Sequence, residues 1–179
     1  MKSLNTPIPR PKKGNLMTRY IFVTINVFLF SLAFSASLKA DSPFGVSVSD
    51  LINRAETRND QGLNARASMR CAVLFAKVGG IIARDSPTTD TSEYDVGMKN
   101  LLVIANLLDQ MVAKKRGSSK TEAEITESLS REMELLNKKY LDWLESNFIN
   151  HGEYFGSSPE LRDDITACRE LANVAAEIL

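Results

Sequence analysis

The chain has one histidine, two cysteines and one tryptophan in 179 residues, and these scarcities exclude much chemistry before any motif is sought. A single histidine, His151, cannot furnish a multi-histidine zinc site. Cys71 and Cys168 lack the Cys-x-x-Cys spacing that lowers a thiol pKa, and no Cys-x-x-Cys-His is present for covalent haem attachment. Acidic residues are plentiful, but pairs such as Asp163 with Asp164, or Asp142 with Glu145, do not follow the oxygen spacing of a calcium loop. Both pairs are expected on solvated helix surface. No serine or cysteine stands in a recognisable nucleophile motif, so neither cofactor nor metal is expected.

Basic charge is scarce where it would matter. Lysines and arginines number 22 and so do aspartates and glutamates, but six of the bases (Lys2, Arg10, Lys12, Lys13, Arg19 and Lys39) lie before Asp41, and none of the acids do. Residues after Ala40 therefore carry an excess of six acids. That balance argues against nucleic-acid binding through a basic surface. It does not suggest an acidic substrate either.

Long apolar runs are also missing, with one short exception. Tyr20 to Ala36 is apolar, follows Lys12, Lys13 and Arg19, and precedes small residues at Ser35-Ala36-Ser37 and Leu38-Lys39-Ala40. Positive charge, apolar core and small residues in that order read as a secretory signal. Cleavage is expected after Ala40, ahead of the turn-prone Asp41-Ser42-Pro43, with Ser37 as the alternative. A retained anchor is the competing reading. A comfortable span needs about 20 apolar residues, whereas this run is shorter and holds Thr24, Asn26, Ser31 and Ser35. Met17 alone would start a compact signal, so translation is expected to begin there. Residues 1–40 are thus the signal segment, residues 41–179 a single helical domain, and the location periplasmic or secreted. Any membrane contact would run only through an uncleaved leader.

An exported protein can keep a disulfide. Two cysteines allow one internal pairing, Cys71 with Cys168, and both fall on inward helical stripes. The alternative is two buried thiols.

What remains is helical periodicity; no strand pattern, internal repeat or low-complexity tract competes with it. After an irregular lead-in over residues 41–47, Ser49 or Asp50 can cap a short helix with Leu51, Ile52 and Ala55. From Leu63 to Arg84 apolar residues cover so wide a face that a central helix is expected. Gly79-Gly80 marks either its end or a place where another backbone comes close. Ser86-Pro87 breaks the chain. From Ser92 to Lys115 the positions Tyr94, Met98, Leu101, Ala105, Leu108 and Val112 alternate spacings of four and three, the pattern of a bundle helix. A fourth helix from Ser119 or Thr121 to Phe148 carries Ile125, Leu129, Met133, Leu136, Tyr140, Leu144 and Phe148 inward, with Trp143 beside them. Ser157-Ser158-Pro159-Glu160 announces the last helix, with Leu161, Ile165, Cys168, Ala172 and Ala175 inward. The expected fold is an all-α bundle of four to five helices.

Function is less legible. The loop from Asn150 to Gly156 holds His151, Glu153, Tyr154 and Phe155, the candidate binding residues, because aromatic side chains between glycines in a polar loop suit a partner contact. The expected role is a non-catalytic binding or accessory protein that meets an unidentified protein or envelope component. Two alternatives stand beside it: a small hydrolase using His151 with Glu153, Asp142 or Glu145, and a holdase-like chaperone, which would need an exposed apolar groove. The run Lys114-Lys115-Arg116 with Lys120 could touch an anionic surface, but its first three charges already suit a helix C-terminus.

Overall fold

A computed structural model describes residues 42–179. The signal segment and its cleavage sites, the start at Met17 and the basic leader lie outside the described residues. Those described form five α-helices and no strand, an all-α bundle. None of these helices is long and apolar enough to cross a membrane.

Helix α1, Val48–Arg58, starts at Ser47, whose hydroxyl accepts the Asp50 N–H at 3.0 Å. The cap thus falls two residues before Ser49. The helix stops at Asn59, which adopts a left-handed conformation (φ 48°). Asp60 then caps α2, Gln61–Asp85, accepting the N–H groups of Gly62 and Leu63 at 2.9 and 3.2 Å.

Helix α2 is central and touches every other helix. Its broad apolar surface explains this: Cys71, Leu74, Phe75 and Val78 are buried alongside Ala72 and Val73. Each large apolar side chain so buried contributes about 1.5–3 kcal/mol. The Gly79-Gly80 pair does not end the helix. A Cβ on Gly79 would stand 3.0 Å from the Cβ of Tyr94, so this glycine permits a close helix approach, while a Cβ on Gly80 would meet nothing within 4 Å.

Helix α3, Ser92–Lys115, has the bounds its periodicity predicts. It buries Tyr94, Leu101 and Ala105, and also Gly97, which the apolar stripe does not reveal. A Cβ on Gly97 would fall 2.6 Å from the Phe75 ring, so the ring packs directly on the α3 backbone. Gly117, at φ 63°, follows the helix, and the Ser118 N–H bonds back to Ala113.

Helix α4, Glu122–His151, opens with a reciprocal cap in which Thr121 and Glu124 satisfy each other's backbone N–H groups. Tyr140 and Leu144 are fully buried. Met133 and Phe148, placed on the same stripe by spacing, are 38% and 46% exposed. Met133 borders an open cleft between α2, α3 and this helix, and Phe148 lies near the helix end. The helix runs three residues past Phe148, which makes His151 its last helical residue rather than a loop residue, and Gly152 (φ 75°) caps it. Helix α5, Pro159–Ile178, begins at Ser158, whose hydroxyl accepts from the Leu161 N–H. A smaller cluster of Met69, Ala105, Ile125 and Leu129 extends the core along α2, α3 and the start of α4.

Candidate functional site

Cys71 of α2 and Cys168 of α5 form a disulfide, and both are fully buried. Immediately beside it lies a buried polar cluster. Arg70 precedes Cys71 and Asp164 stands one turn before Cys168. Their side chains pair at 2.5 Å with 4% and 1% exposure. Arg70 Nε also donates to the Tyr140 hydroxyl at 3.0 Å, and another guanidinium nitrogen donates to the Val46 carbonyl. The guanidinium stacks 3.9 Å from the Phe44 ring centroid. The second Asp164 oxygen accepts the Val48 N–H at 2.8 Å, one of the orphan donors at the start of α1. Burial pushes the Asp164 carboxyl above its ordinary value, opposed by Arg70 and the Val48 N–H. Burial likewise pushes the Tyr140 phenol up.

Asp164 is therefore not surface, contrary to the expectation for the Asp163-Asp164 pair; one partner faces water and the other faces Arg70. Sequence reasoning missed both members of the ion pair. The available signal was position: Arg70 falls three residues after Ala67 and four before Leu74, and Asp164 three after Leu161 and four before Cys168, so each charge stands on an inward stripe. The lead-in over residues 42–47 is irregular, as expected, yet Phe44 and Val46 are clamped by the same arginine. The disulfide and the ion pair together fix α1, α2 and α5 relative to one another.

Those three helices and α3 enclose a cleft of about 530 Å³. On α3 its wall is Ile104, Leu107, Leu108 and Met111; on α5 it is Leu171, Val174, Ala175 and Ile178. Ile52 and Glu56 close the α1 side, and Asn64 and Ser68 of α2 form the floor. Leu107, Met111 and Val174 are each about half exposed and Ile178 is 65% exposed. The hydroxyl of Ser68, in a residue only 1% exposed, has no hydrogen-bond partner among the described residues. An apolar concavity of this size with a few polar groups is the ordinary form of a binding site. A smaller cleft of about 190 Å³ lies between α2, α3 and α4, against Ala76, Met98 and Met133.

The four residues singled out near the end of α4 separate into two kinds. Tyr154 and Phe155 fold back against the core, with the Tyr154 ring stacked 4.6 Å from Phe148. The Tyr154 hydroxyl accepts from Arg84 at 2.9 Å and its carbonyl from Asn147 at 3.2 Å. His151 and Glu153 stay exposed. The Glu153 carboxylate lies over Gly156, where a Cβ would meet it at 2.5 Å. Among the described residues no hydrogen bond or ion pair joins His151 to Glu153, Asp142 or Glu145. Nor does any group of three metal-ligating side chains occur among them. Lys114, Lys115, Arg116 and Lys120 are exposed around the end of α3.

No family model, curated protein or solved structure matches the chain.

Proposed function

We propose that the chain is an exported, non-catalytic binding protein that works outside the cytoplasm and takes its ligand in the cleft between α1, α2, α3 and α5. The observation that carries this reading is the cleft itself: apolar walls left open to water, above a buried hydroxyl without a partner. Leaving such surface open costs solubility and stability, and an occupant removes that cost. The basic-then-apolar segment before Asp41 supports export, and so does the bridge between Cys71 and Cys168, which needs an oxidising compartment to persist. The contact at Tyr154 and Phe155 moves to second place, because these rings already cover the bundle end.

Two measurements test the reading. N-terminal sequencing of the protein recovered from the cell envelope or medium should start near Asp41, and thiol titration in denaturant should find no free thiol before reduction and two after it. Recovery of the intact chain from the cytoplasm with two free thiols would overturn export. Independently, N-phenyl-1-naphthylamine, a neutral dye that brightens in apolar surroundings, should bind wild type and lose binding in Met111→Asp with Val174→Asp. Equal fluorescence with both proteins would remove the cleft as the site. The chaperone reading rests on the same open cleft and predicts suppressed aggregation of unrelated unfolded proteins, lost in the same double variant.

A further inference from the structure

Resting on the cleft as the binding site, we infer that its occupant is a basic amphipathic helix of a partner protein. Two features of the cleft specify this class. The first is its charge. Among the described residues lining it, the ionisable ones are Glu56 and Glu170, with no lysine or arginine. The chain after Ala40 also carries an excess of six acids. A fatty acid or an anionic lipid headgroup would bring its charge against two carboxylates. A second copy of this chain would set four carboxylates at one interface. A cationic partner meets attraction in both places, and charge complementarity of this kind chooses partners and speeds encounter.

The second feature is the length of the apolar walls of the cleft. On α3, Val103, Leu107 and Met111 recur every four residues and are 45%, 45% and 50% exposed. They form a continuous ridge, although Val103 lies beyond the cleft lining. On α5, Val174 and Ile178 repeat the four-residue spacing. A small ligand seated in the concavity meets only the inner flanks of these ridges and leaves Val103, outside the lining, in water. A helix laid between them covers them, because rows of side chains four residues apart are what helix surfaces interlock with. Three residues at that spacing extend about 12 Å, so a partner helix of three or more turns spans the ridge. Its apolar face enters the cleft, and its flanking lysines or arginines reach Glu56 and Glu170.

The test uses the purified protein as the cell processes it, with two synthetic amphipathic 18-residue helices sharing one leucine face. One has a lysine polar face and the other a glutamate polar face. The lysine peptide is expected to displace N-phenyl-1-naphthylamine and to bind about tenfold more tightly than the glutamate peptide at low salt. Glu56→Gln with Glu170→Gln, which keeps the apolar walls, should reduce that preference to about threefold or less, and Met111→Asp with Val174→Asp should abolish displacement. If the dye binds but both peptides bind equally, or the lysine preference survives the glutamine variants, the basic helix is wrong while the cleft remains the site. Dye that is displaced only by a small cationic amphiphile would likewise overturn the helix and keep the cleft, as would concentration-dependent dimerisation lost in Met111→Asp. If the dye does not bind at all, the inference and the functional reading fall together.

Discussion

Arg70 and Asp164, 94 positions apart in the chain, meet at 2.5 Å in a place almost without solvent. The pair is surrounded by its own hydrogen-bond partners: the Tyr140 hydroxyl and the Val46 carbonyl accept from the arginine's other two nitrogens, and the Val48 N–H donates to the aspartate's second oxygen. Ion pairs out of water cost desolvation, and this one is sustained because each guanidinium nitrogen donates one hydrogen bond and both carboxylate oxygens accept one. It also ties the first turn of α1 to α2, α4 and α5, one residue from the disulfide. The wall that α1 gives the cleft depends on that attachment.

Asp164→Asn keeps an acceptor for the Val48 N–H but leaves the Arg70 cation buried without a counter-charge. A loss of about 3–5 kcal/mol in stability is expected, as for other broken buried pairs. The double replacement Arg70→Met with Asp164→Leu should recover most of that loss, since neither charge is then stranded. Urea unfolding of the three proteins measures this. A loss below about 1 kcal/mol for Asp164→Asn would mean that Arg70 finds water or another acceptor on its own.

Glycines in α2 and α3 look alike in sequence and should behave oppositely. Gly97→Ala drives a methyl into the buried Phe75 ring, with the nearest ring atom 2.6 Å away. Overpacking of that kind costs about 1–3 kcal/mol, more than the helix propensity gained. Gly80→Ala meets nothing within 4 Å and should stabilise by about 0.5–1 kcal/mol. Thermal unfolding midpoints that moved in the same direction for both would contradict the packing of α2 on α3.

Tyr154→Ala with Phe155→Ala removes two rings packed on the end of the core, together with the hydroxyl that accepts from Arg84. A loss of about 2–5 kcal/mol is expected from the pair, with dye binding in the cleft unchanged. Unaltered stability would return these rings to the surface role that their place between glycines suggests.

How much of this the sequence shows depends on whether a feature is local. Helix α3 is legible to the residue, because Tyr94 to Val112 keep the same alternation of four and three throughout and Ser86-Pro87 and Gly117 bound it on both sides. The disulfide is legible because both cysteines lie on stripes that must face inward. The fate of Gly79-Gly80 is not, since two glycines end a helix as readily as they admit a neighbour, and only the position of Tyr94 decides. Asp164 is hidden for a related reason: a carboxylate beside Asp163 in the second turn of a helix is ordinary surface unless an opposite charge waits across the core. The cleft is least legible of all. Leu107, Met111, Val174 and Ile178 are single apolar residues at the edge of two stripes, and they become a site only when α3 and α5 are set side by side.

Acid should loosen the start of α4 before it loosens the core. Glu124 accepts hydrogen bonds from the Thr121 N–H and hydroxyl, which hold its carboxyl below the ordinary value of 4.5. The folded state therefore binds the proton less readily than the unfolded chain does. The stabilisation is complete above the unfolded value and is lost as pH falls through the lower folded one. Asp90, which accepts the Ser92 N–H ahead of α3, is lowered for the same reason and follows the same sign. Asp109 is raised by burial, so its contribution runs the other way: it is present when the carboxyl is protonated and is lost as pH rises. A global unfolding curve mixes these opposing effects, whereas a local probe separates them. Amide protection factors at Glu124 and Ile125 should fall as the pH is lowered through the carboxylate range while those at Leu74 and Leu144 in the core hold, and in Glu124→Gln the cap amides should show no such step. Protection at the cap that stayed level through the acid range in the wild type would show that the bonds to Thr121 are not what orders this helix end.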